Sequence, residues 1–288
     1  MVGSTRATGY IAMLLSAWLT LAPAQTRAAA PGWDEPIGSG GRALDAALRL
    51  FPGAALDGGE RLVLAREKVL RLPGTSAERA PLPAGTRLQA PSGALHLRSE
   101  GRRYTVLLWE GERPEGANGG GFGEGVAVLA VVPEGQVEPT DVAEVKRDRF
   151  TGLGPRVDLG AEDGFLLFNT HHNAGQGYQL ADLFHLRGGR LRRVVDGLFT
   201  LSARTGCRGS FEQTLAVRTE PDGAGPRAIV LEVERVLEPP DQVRDCPRAR
   251  APRRERFADR WRWDAGRGMY RREGGTLDRL VRWNERRV

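Results

Sequence analysis

The chain has 288 residues, of which 40% are hydrophobic and 27% charged, and its formal net charge is +6. These proportions are near the averages of globular proteins and exclude wholesale disorder. Lys68 and Lys146 are the only lysines among 42 basic residues. Such an excess of arginine is typical of chains encoded by GC-rich bacterial genomes. The basic balance therefore does not by itself indicate a polyanionic partner, and we expect no nucleic-acid binding.

The N-terminus has the three parts of a secretory signal peptide. Arg6 is the only charge before an apolar run from Tyr10 to Leu21, and the small residues of Ala22-Pro23-Ala24 follow it. The run has 12 residues, whereas a membrane-spanning helix needs about 20. We therefore predict a cleaved signal peptide over residues 1–24, no transmembrane segment in the mature chain, and a periplasmic or secreted location.

Two helices are predicted, one near each end of the mature chain. Residues 25–41 are rich in Pro, Gly and Ala and are expected to form a flexible leader. Arg42–Phe51 then has apolar residues at helical spacing and is ended by Pro52-Gly53. Helical spacing returns over Thr276–Val288, where Leu277, Leu280 and Val281 share one side.

The sequence between these helices is typical of β-structure. Short apolar runs such as Tyr104–Trp109, Val126–Val132 and Gly164–His171 are bounded by Gly, Pro or Asn. Gly188-Gly189 separates two strand-like runs and suits a tight hairpin turn, because both central positions of that turn need a positive φ. No helices alternate with the strands, which favours antiparallel pairing.

We therefore predict a mainly β fold of about ten to twelve strands, arranged as an antiparallel sandwich or as curved sheets built from hairpins. A second hairpin is predicted where Phe257–Trp263 turns back into Met269-Tyr270. Residues 42–288 are expected to form a single β-rich domain, with a possible lobe boundary near residues 133–139, where the sequence is linker-like.

Cys207 and Cys246 are the only cysteines. The turn sequence of residues 221–226 lies between them, flanked by the strand-like runs Phe211–Arg218 and Arg227–Leu237. If these runs pair, both cysteines lie beyond the open end of the hairpin. Exported proteins meet an oxidising compartment, so we expect a Cys207–Cys246 disulfide, which stabilises the fold by roughly 4 kcal/mol in the chain-entropy model.

The stretch from Asn169 to Tyr178 is the richest in chemically useful side chains. We consider His172, Asn173, Gln176 and Tyr178 as candidate binding residues for a small molecule or a partner. A metal site is not expected, because the neighbouring residues His171 and His172 point to opposite faces of a strand and no spacing completes a ligand set. A loop stabilised by its own hydrogen bonds is the alternative.

The C-terminal region is the electrostatic outlier. Residues 244–288 contain 15 Arg and 7 Asp or Glu, a net charge of +8, so the rest of the mature chain is slightly acidic. On the predicted helix, Arg279, Arg282 and Arg286 are expected to face outward and could contact an anionic envelope component. The alternative is a solvated surface with no ligand.

No nucleophile–base motif, cofactor motif or metal motif is recognisable in the sequence. We therefore expect a non-catalytic binding or interaction protein of the cell envelope that needs no cofactor. The alternative is a hydrolase acting on an envelope substrate, with its site near the loop of residues 169–178.

The signal peptide makes a direct prediction. N-terminal sequencing of the natural protein is expected to give Gln25 as the first residue, because cleavage follows the small residues Ala22 and Ala24. An intact Met1 in the cytoplasmic fraction would contradict both the signal peptide and the location derived from it.

Overall fold

The computed structural model describes residues 32–37, 40–73, 79–116, 125–173, 175–204, 209–238 and 251–287. The predicted signal peptide and both cysteines lie outside these ranges. A short ribbon of β1 (Pro36–Ile37) and β2 (Gly41–Arg42) leads into helix α1 (Ala43–Leu50). Trp33 and Ile37 are buried in the same cluster as α1, so this part of the predicted leader packs on the domain.

The first sheet has nine strands: β3 (Ala55–Asp57), β4 (Arg61–Val63), β5 (Lys68–Arg71), β6 (Arg79–Leu82), β7 (Arg87–Gln89), β8 (Gly93–Ser99), β9 (Arg102–Glu112), β10 (Gly125–Pro133) and β11 (Asp141–Glu144). Their spatial order is β3-β4-β7-β9-β10-β11-β5-β6, and β8 also pairs with β9. Pairing is antiparallel except between β11 and β5, which meet in parallel at Ala143 and Arg71.

The second sheet is a meander of eight antiparallel strands, each paired with the next along the chain. They are β12 (Phe150–Asp158), β13 (Asp163–Asn173), β14 (Gln176–Arg187), β15 (Arg190–Arg204), β16 (Ser210–Glu220), β17 (Ala228–Glu238), β18 (Arg253–Asp264) and β19 (Met269–Glu273). Helix α2 (Thr276–Glu285) follows.

Three apolar clusters hold these layers together. The first packs α1 on one face of the first sheet, around Trp109. The second lies between the two sheets and joins β9 and β10 to Phe165 and Phe184. The third lies within the curved second sheet, where Leu277 and Leu280 of α2 pack against β15, β17 and β18. The predicted fold class, antiparallel and mainly β with two short helices, is confirmed.

The chain passes from the first sheet to the second at Val145–Arg149, between β11 and β12. Residues 133–139 instead connect β10 to β11 within the first sheet. The crossover is fastened by buried Asn169, whose Oδ1 accepts hydrogen bonds from Arg147 N and Thr151 Oγ1, both at 3.0 Å. A buried amide is well suited to this position because it both accepts and donates, and its Nδ2 faces the carbonyl of Val145 at 3.5 Å.

Both predicted hairpins are present. The β14–β15 turn is Gly188-Gly189, with φ of 54° and 72°, values that glycine adopts readily. The β18–β19 hairpin turns at residues 265–268. The number of strands was underestimated, because the described residues contain nineteen and several have only two to four residues. The Leu- and Val-rich run Arg61–Leu72, for example, forms two short strands, β4 and β5.

The second sheet is split along β15. One side of this strand pairs with β14 over almost its full length, but the other side pairs with β16 only at Ala203 and Arg204. Buried backbone groups must still be hydrogen-bonded, and side chains take the place of the missing strand. Their bonds to β15 are Asp141 to Leu191 N, Arg71 to Leu191 O, Asn284 to Phe199 O and Gln213 to Leu201 N. Asp182 of the paired strand β14 accepts a hydrogen bond from Gly197 N where the β14–β15 register shifts.

The β16–β17 hairpin, inferred from the turn of residues 221–226, is also present. Its open end pairs Ser210 with Glu238. Ser210 follows Cys207 by three residues and Glu238 precedes Cys246 by eight. The arrangement required for a Cys207–Cys246 bond is therefore met by the described part of the hairpin, and the disulfide stays a prediction.

Helix α2 is capped by a residue far away in sequence. The buried carboxylate of Asp259, on β18, accepts hydrogen bonds from Thr276 N at 2.9 Å and Leu277 N at 3.3 Å, which are donors that the first helical turn cannot satisfy itself. It also pairs with Arg272. Gly274, with φ of 105°, brings the chain so close that a Cβ there would lie 2.6 Å from Asp259 Oδ1.

We expect Asp259→Ala to lower the free energy of unfolding by about 3 kcal/mol, because it leaves buried donors and Arg272 without an acceptor. Urea unfolding at pH 7 measures the change. Asp278→Ala is the control, since Asp278 also binds Arg272 but is half exposed, and it should cost less than about 1 kcal/mol. Equal effects of the two substitutions would contradict a capping role for Asp259.

Candidate functional site

The candidate residues predicted between Asn169 and Tyr178 lie on strands β13 and β14, and their side chains point to both faces of these strands. His171 is buried and His172 is exposed. The His171 ring stacks on Tyr178 with 5.3 Å between centroids. Its Nδ1 lies 3.0 Å from Asp148 Oδ1 and its Nε2 lies 3.0 Å from Asn173 Oδ1. Tyr178 donates its hydroxyl proton to the other oxygen of Asp148. These contacts form a buried polar cluster beneath the sheet crossover.

The charges in this cluster are complementary. The hydrogen bond to Asp148, followed by that to Asn173, raises the pKa of His171. Burial raises the pKa of Asp148, but the hydrogen bonds from Tyr178, the backbone of Arg149 and His171 outweigh it and lower that pKa. Both nitrogens of His171 face acceptor oxygens, those of Asp148 and Asn173, which favours the protonated imidazole next to a carboxylate. This arrangement fastens residue 148 of the crossover and leaves the imidazole unsuited to accept a proton in catalysis.

Three of the four candidate residues from this loop meet in one cleft. His172, Asn173 and Gln176 line a cleft of about 510 Å³, named here the His172 cleft, together with Ser202, Ser210, Glu212 and Glu238. The His172 ring lies against Gly177, where a Cβ would come within 2.6 Å of Nδ1. Tyr178 belongs instead to the cluster with Asp148.

The His172 cleft does not contain a connected catalytic group. Glu238 accepts a hydrogen bond from Ser210 at 3.3 Å, and Ser202 donates to the carbonyl of Gly177 at 3.2 Å. Within the described ranges, His172 makes no hydrogen bond or ion pair with a carboxylate. The arrangement that would favour a hydrolase, a histidine oriented by an acid, is therefore not formed in this cleft.

The C-terminal arginines are separated into two groups. Arg279, Arg282 and Arg286 face solvent on α2, as expected, and have no acidic partner among the described residues. The arginines of the β18–β19 hairpin are instead paired with acidic residues. Arg262 binds Asp222, Arg260 lies 3.1 Å from Glu220, and Arg267 and Arg271 lie near Asp264. Their charge is thus largely compensated locally.

A larger positive site lies where the split edge of β15 meets the first sheet. This groove of about 570 Å³ is bordered by residues of β5, β11, β14, β15 and the β18–β19 hairpin. We name it the arginine groove. Five arginines and one carboxylate line it, together with a histidine, two aromatic residues and a methionine: Arg71, Arg190, Arg192, Arg193, Arg267, Asp141, His185, Trp263, Tyr270 and Met269.

Two of these arginines carry uncompensated charge. Arg71 binds Asp141, Arg193 lies 2.9 Å from Asp196, and Arg267 lies 3.8 Å from Asp264. The side chains of Arg190 and Arg192 are exposed and have no hydrogen bond or ion pair with any described residue. They are two positions apart on β15, so they share one face of the strand. The groove therefore presents two unpaired guanidinium groups to the same volume.

His185 forms the buried floor of the arginine groove. It pairs across the hairpin with Arg192, and its ring packs edge-on against Trp263 and Tyr270, with centroids 5.6 Å away from each. Burial, together with the charges of Arg187 and Arg192, lowers the pKa of His185 to about 4. The ring is therefore neutral at pH 7 and donates its Nε2 proton to the carboxylate of Glu162. The positive charge of the groove thus comes from its arginines.

One sequence pattern points to this groove, but the high arginine content of the whole chain made it inconspicuous. Residues 187–193 read Arg-Gly-Gly-Arg-Leu-Arg-Arg, and cross-strand pairing of Arg187 with Arg190 places like charges on one face of a hairpin. Like charges directly opposite each other are unfavourable in a sheet, so this pattern indicates a function more strongly than arginine content does. Arg71 and Asp141 could not have been joined to it without the fold.

Two general features of the described residues complete this description. No group of three or more His, Cys, Asp or Glu is arranged to hold a metal ion. No described helix is long and apolar enough to cross a membrane.

Comparison with known proteins gave no match to a family model, a curated protein or a solved structure.

The buried cluster makes a pH-dependent prediction. A raised pKa in the folded state means that protonated His171 contributes stability that is complete below about pH 6.5. That stability is lost as the pH rises through the folded-state value. We therefore expect Asp148→Asn to destabilise the protein more at pH 6 than at pH 9.

Thermal unfolding at the two pH values measures this difference. Asp222→Asn is the control, because Asp222 pairs with Arg260 and Arg262, which stay charged throughout this range. Equal destabilisation by Asp148→Asn at pH 6 and pH 9 would show that protonated His171 contributes nothing.

Proposed function

We propose that this chain is exported to the cell envelope and acts there as a non-catalytic binding protein, with the arginine groove as its ligand site. The observation that carries the proposal is the pair Arg190 and Arg192, which have no acidic partner among the described residues and lie in a groove lined by five arginines and one carboxylate. Two unpaired guanidinium groups that face one groove favour the binding of an anionic ligand through charge-assisted hydrogen bonds.

The form of the groove supports a binding role. A volume of about 570 Å³ lies in the range of small-molecule sites, roughly 300–1,000 Å³. The walls are strands of two sheets, and Arg71 and Asp141 are fixed by hydrogen bonds to Leu191 on the edge of β15. Such walls hold their shape before a ligand arrives, which reduces the entropic cost of binding.

The catalytic alternative, a hydrolase acting near residues 169–178, has less support. Both nitrogens of His171 are hydrogen-bonded, and its pKa is raised, whereas a general base must be able to take up a proton. His172 has no acidic partner within the described ranges. We therefore do not assign a reaction to either histidine.

The proposal is tested by comparing two triple variants of equal charge. Arg190→Gln, Arg192→Gln and Arg267→Gln remove charge from the groove, whereas Arg279→Gln, Arg282→Gln and Arg286→Gln remove the same charge from α2. We expect the groove variant to bind dextran sulfate at physiological ionic strength at least roughly tenfold more weakly than wild type, since charged hydrogen bonds contribute about 1.5–3 kcal/mol each.

The α2 variant is expected to stay within about threefold of wild type, because isolated exposed charges are screened over about 8 Å at physiological ionic strength. Thermal unfolding of both variants checks that they fold. The reverse ranking would place the anionic partner on α2 and contradict the groove as the site.

A further inference from the structure

The arginine groove has properties that narrow the class of its ligand, and this step rests on the proposed function. We infer that the groove binds a carboxylated saccharide, with the carboxylates on Arg190 and Arg192 and a sugar ring against Trp263 and Met269. Three observations lead to this assignment: the spacing of the unpaired arginines, the mixed character of the walls, and the lack of an apolar surface beside them.

The spacing of the arginines matches a ligand with more than one polar group. Two positions along a strand separate the Cα atoms by about 7 Å, so each guanidinium can bind its own acidic group while both face the same groove. A guanidinium matches a carboxylate with two parallel hydrogen bonds. Arg190 and Arg192 are thus suited to successive acidic groups, or to one carboxylate and the hydroxyls of a neighbouring ring.

The lining of the groove suits a ligand that has polar groups around its edge and apolar C–H groups on one face. Trp263 is half-buried, with the Arg187 guanidinium stacked 4.6 Å from the centre of its indole, and Met269 at the lip of the groove is 54% exposed. An inorganic anion leaves these surfaces and most of the 570 Å³ to water. A pyranose ring has C–H groups on its faces and hydroxyls at its edge, so it contacts the indole and the thioether without burying an unpaired polar group.

A lipid headgroup is less well matched to this site. Acyl chains need a continuous apolar surface beside the charged groups. The exposed large hydrophobic side chains among the described residues are Leu48, Val69, Phe150 and Met269, which lie on four different elements: α1, β5, β12 and β19. The border of the groove is instead made of arginines and the β18–β19 turn.

Isothermal titration calorimetry of the full chain with tetragalacturonate tests the assignment. We expect saturable binding that weakens at least tenfold with the neutral methyl ester of the same oligosaccharide. Arg190→Gln with Arg192→Gln should weaken tetragalacturonate binding at least tenfold, and the matched pair Arg279→Gln with Arg282→Gln should change it less than twofold. Met269→Ala should weaken binding of the saccharide severalfold without affecting inorganic phosphate.

Inorganic phosphate and phosphatidylglycerol vesicles are titrated in parallel to separate the possible outcomes. Binding of phosphate or of vesicles that depends on Arg190 and Arg192, with no binding of tetragalacturonate, would overturn the saccharide but keep the groove as a binding site. Equal affinity for the acid and its methyl ester would also overturn it. If no anionic probe, dextran sulfate included, binds in a way that depends on these arginines, the proposed function fails as well.

Discussion

The second sheet depends on how the unpaired edge of β15 is satisfied. Over most of its length this edge has no neighbouring strand, and side chains from four other elements, β5, β11, β16 and α2, hydrogen-bond its backbone instead. An exposed strand edge otherwise invites pairing with another chain. Because Asp141 and Arg71 come from the first sheet, the same bonds that cover the edge also join the two sheets at that point.

The arginine groove is a consequence of this split. Where a strand would have continued the sheet, the β18–β19 hairpin and the β5–β11 side of the first sheet approach β15 and leave a space between them. The arginines that line the groove have two different roles. Arg71 is used in structure, bound to Asp141 and Leu191, whereas Arg190 and Arg192 have no structural partner among the described residues. This division separates the arginines that hold the groove from those assigned to its ligand.

Local patterns in the sequence were sufficient to predict the helices and the principal hairpins. Gly188-Gly189 permits the turn whatever surrounds it, and the apolar spacing of α1 and α2 reports which side each helix buries. The first sheet was harder to predict, because strands of three or four residues, such as β4 and β5, are too short to show an alternating pattern of apolar residues. The groove could not be predicted, since its charges come from strands about 120 residues apart, as Arg71 and Leu191 illustrate.

Among the candidate residues of the loop, too, local geometry was predictable and contacts with distant residues were not. Alternation along a strand correctly separates His171 from His172, because it depends on local geometry. The partner of His171, Asp148, reaches it from the crossover 23 residues earlier, and no pattern in the sequence links the two. His172, Asn173 and Gln176 share a cleft because β13 and β14 form a hairpin, but the sequence does not show whether a ligand binds there.

Asn284 of α2 has a bearing on the order in which the chain can fold. Its amide binds Phe199 O at 2.8 Å and Gln213 Oε1 at 2.9 Å, so it bridges the two strands that separate at the split. Phe199 precedes it by 85 residues. A chain growing from its N-terminus therefore leaves Phe199 O without this partner until residue 284 has been synthesised. The two strands at the split are thus joined by a side chain that is added long after either of them.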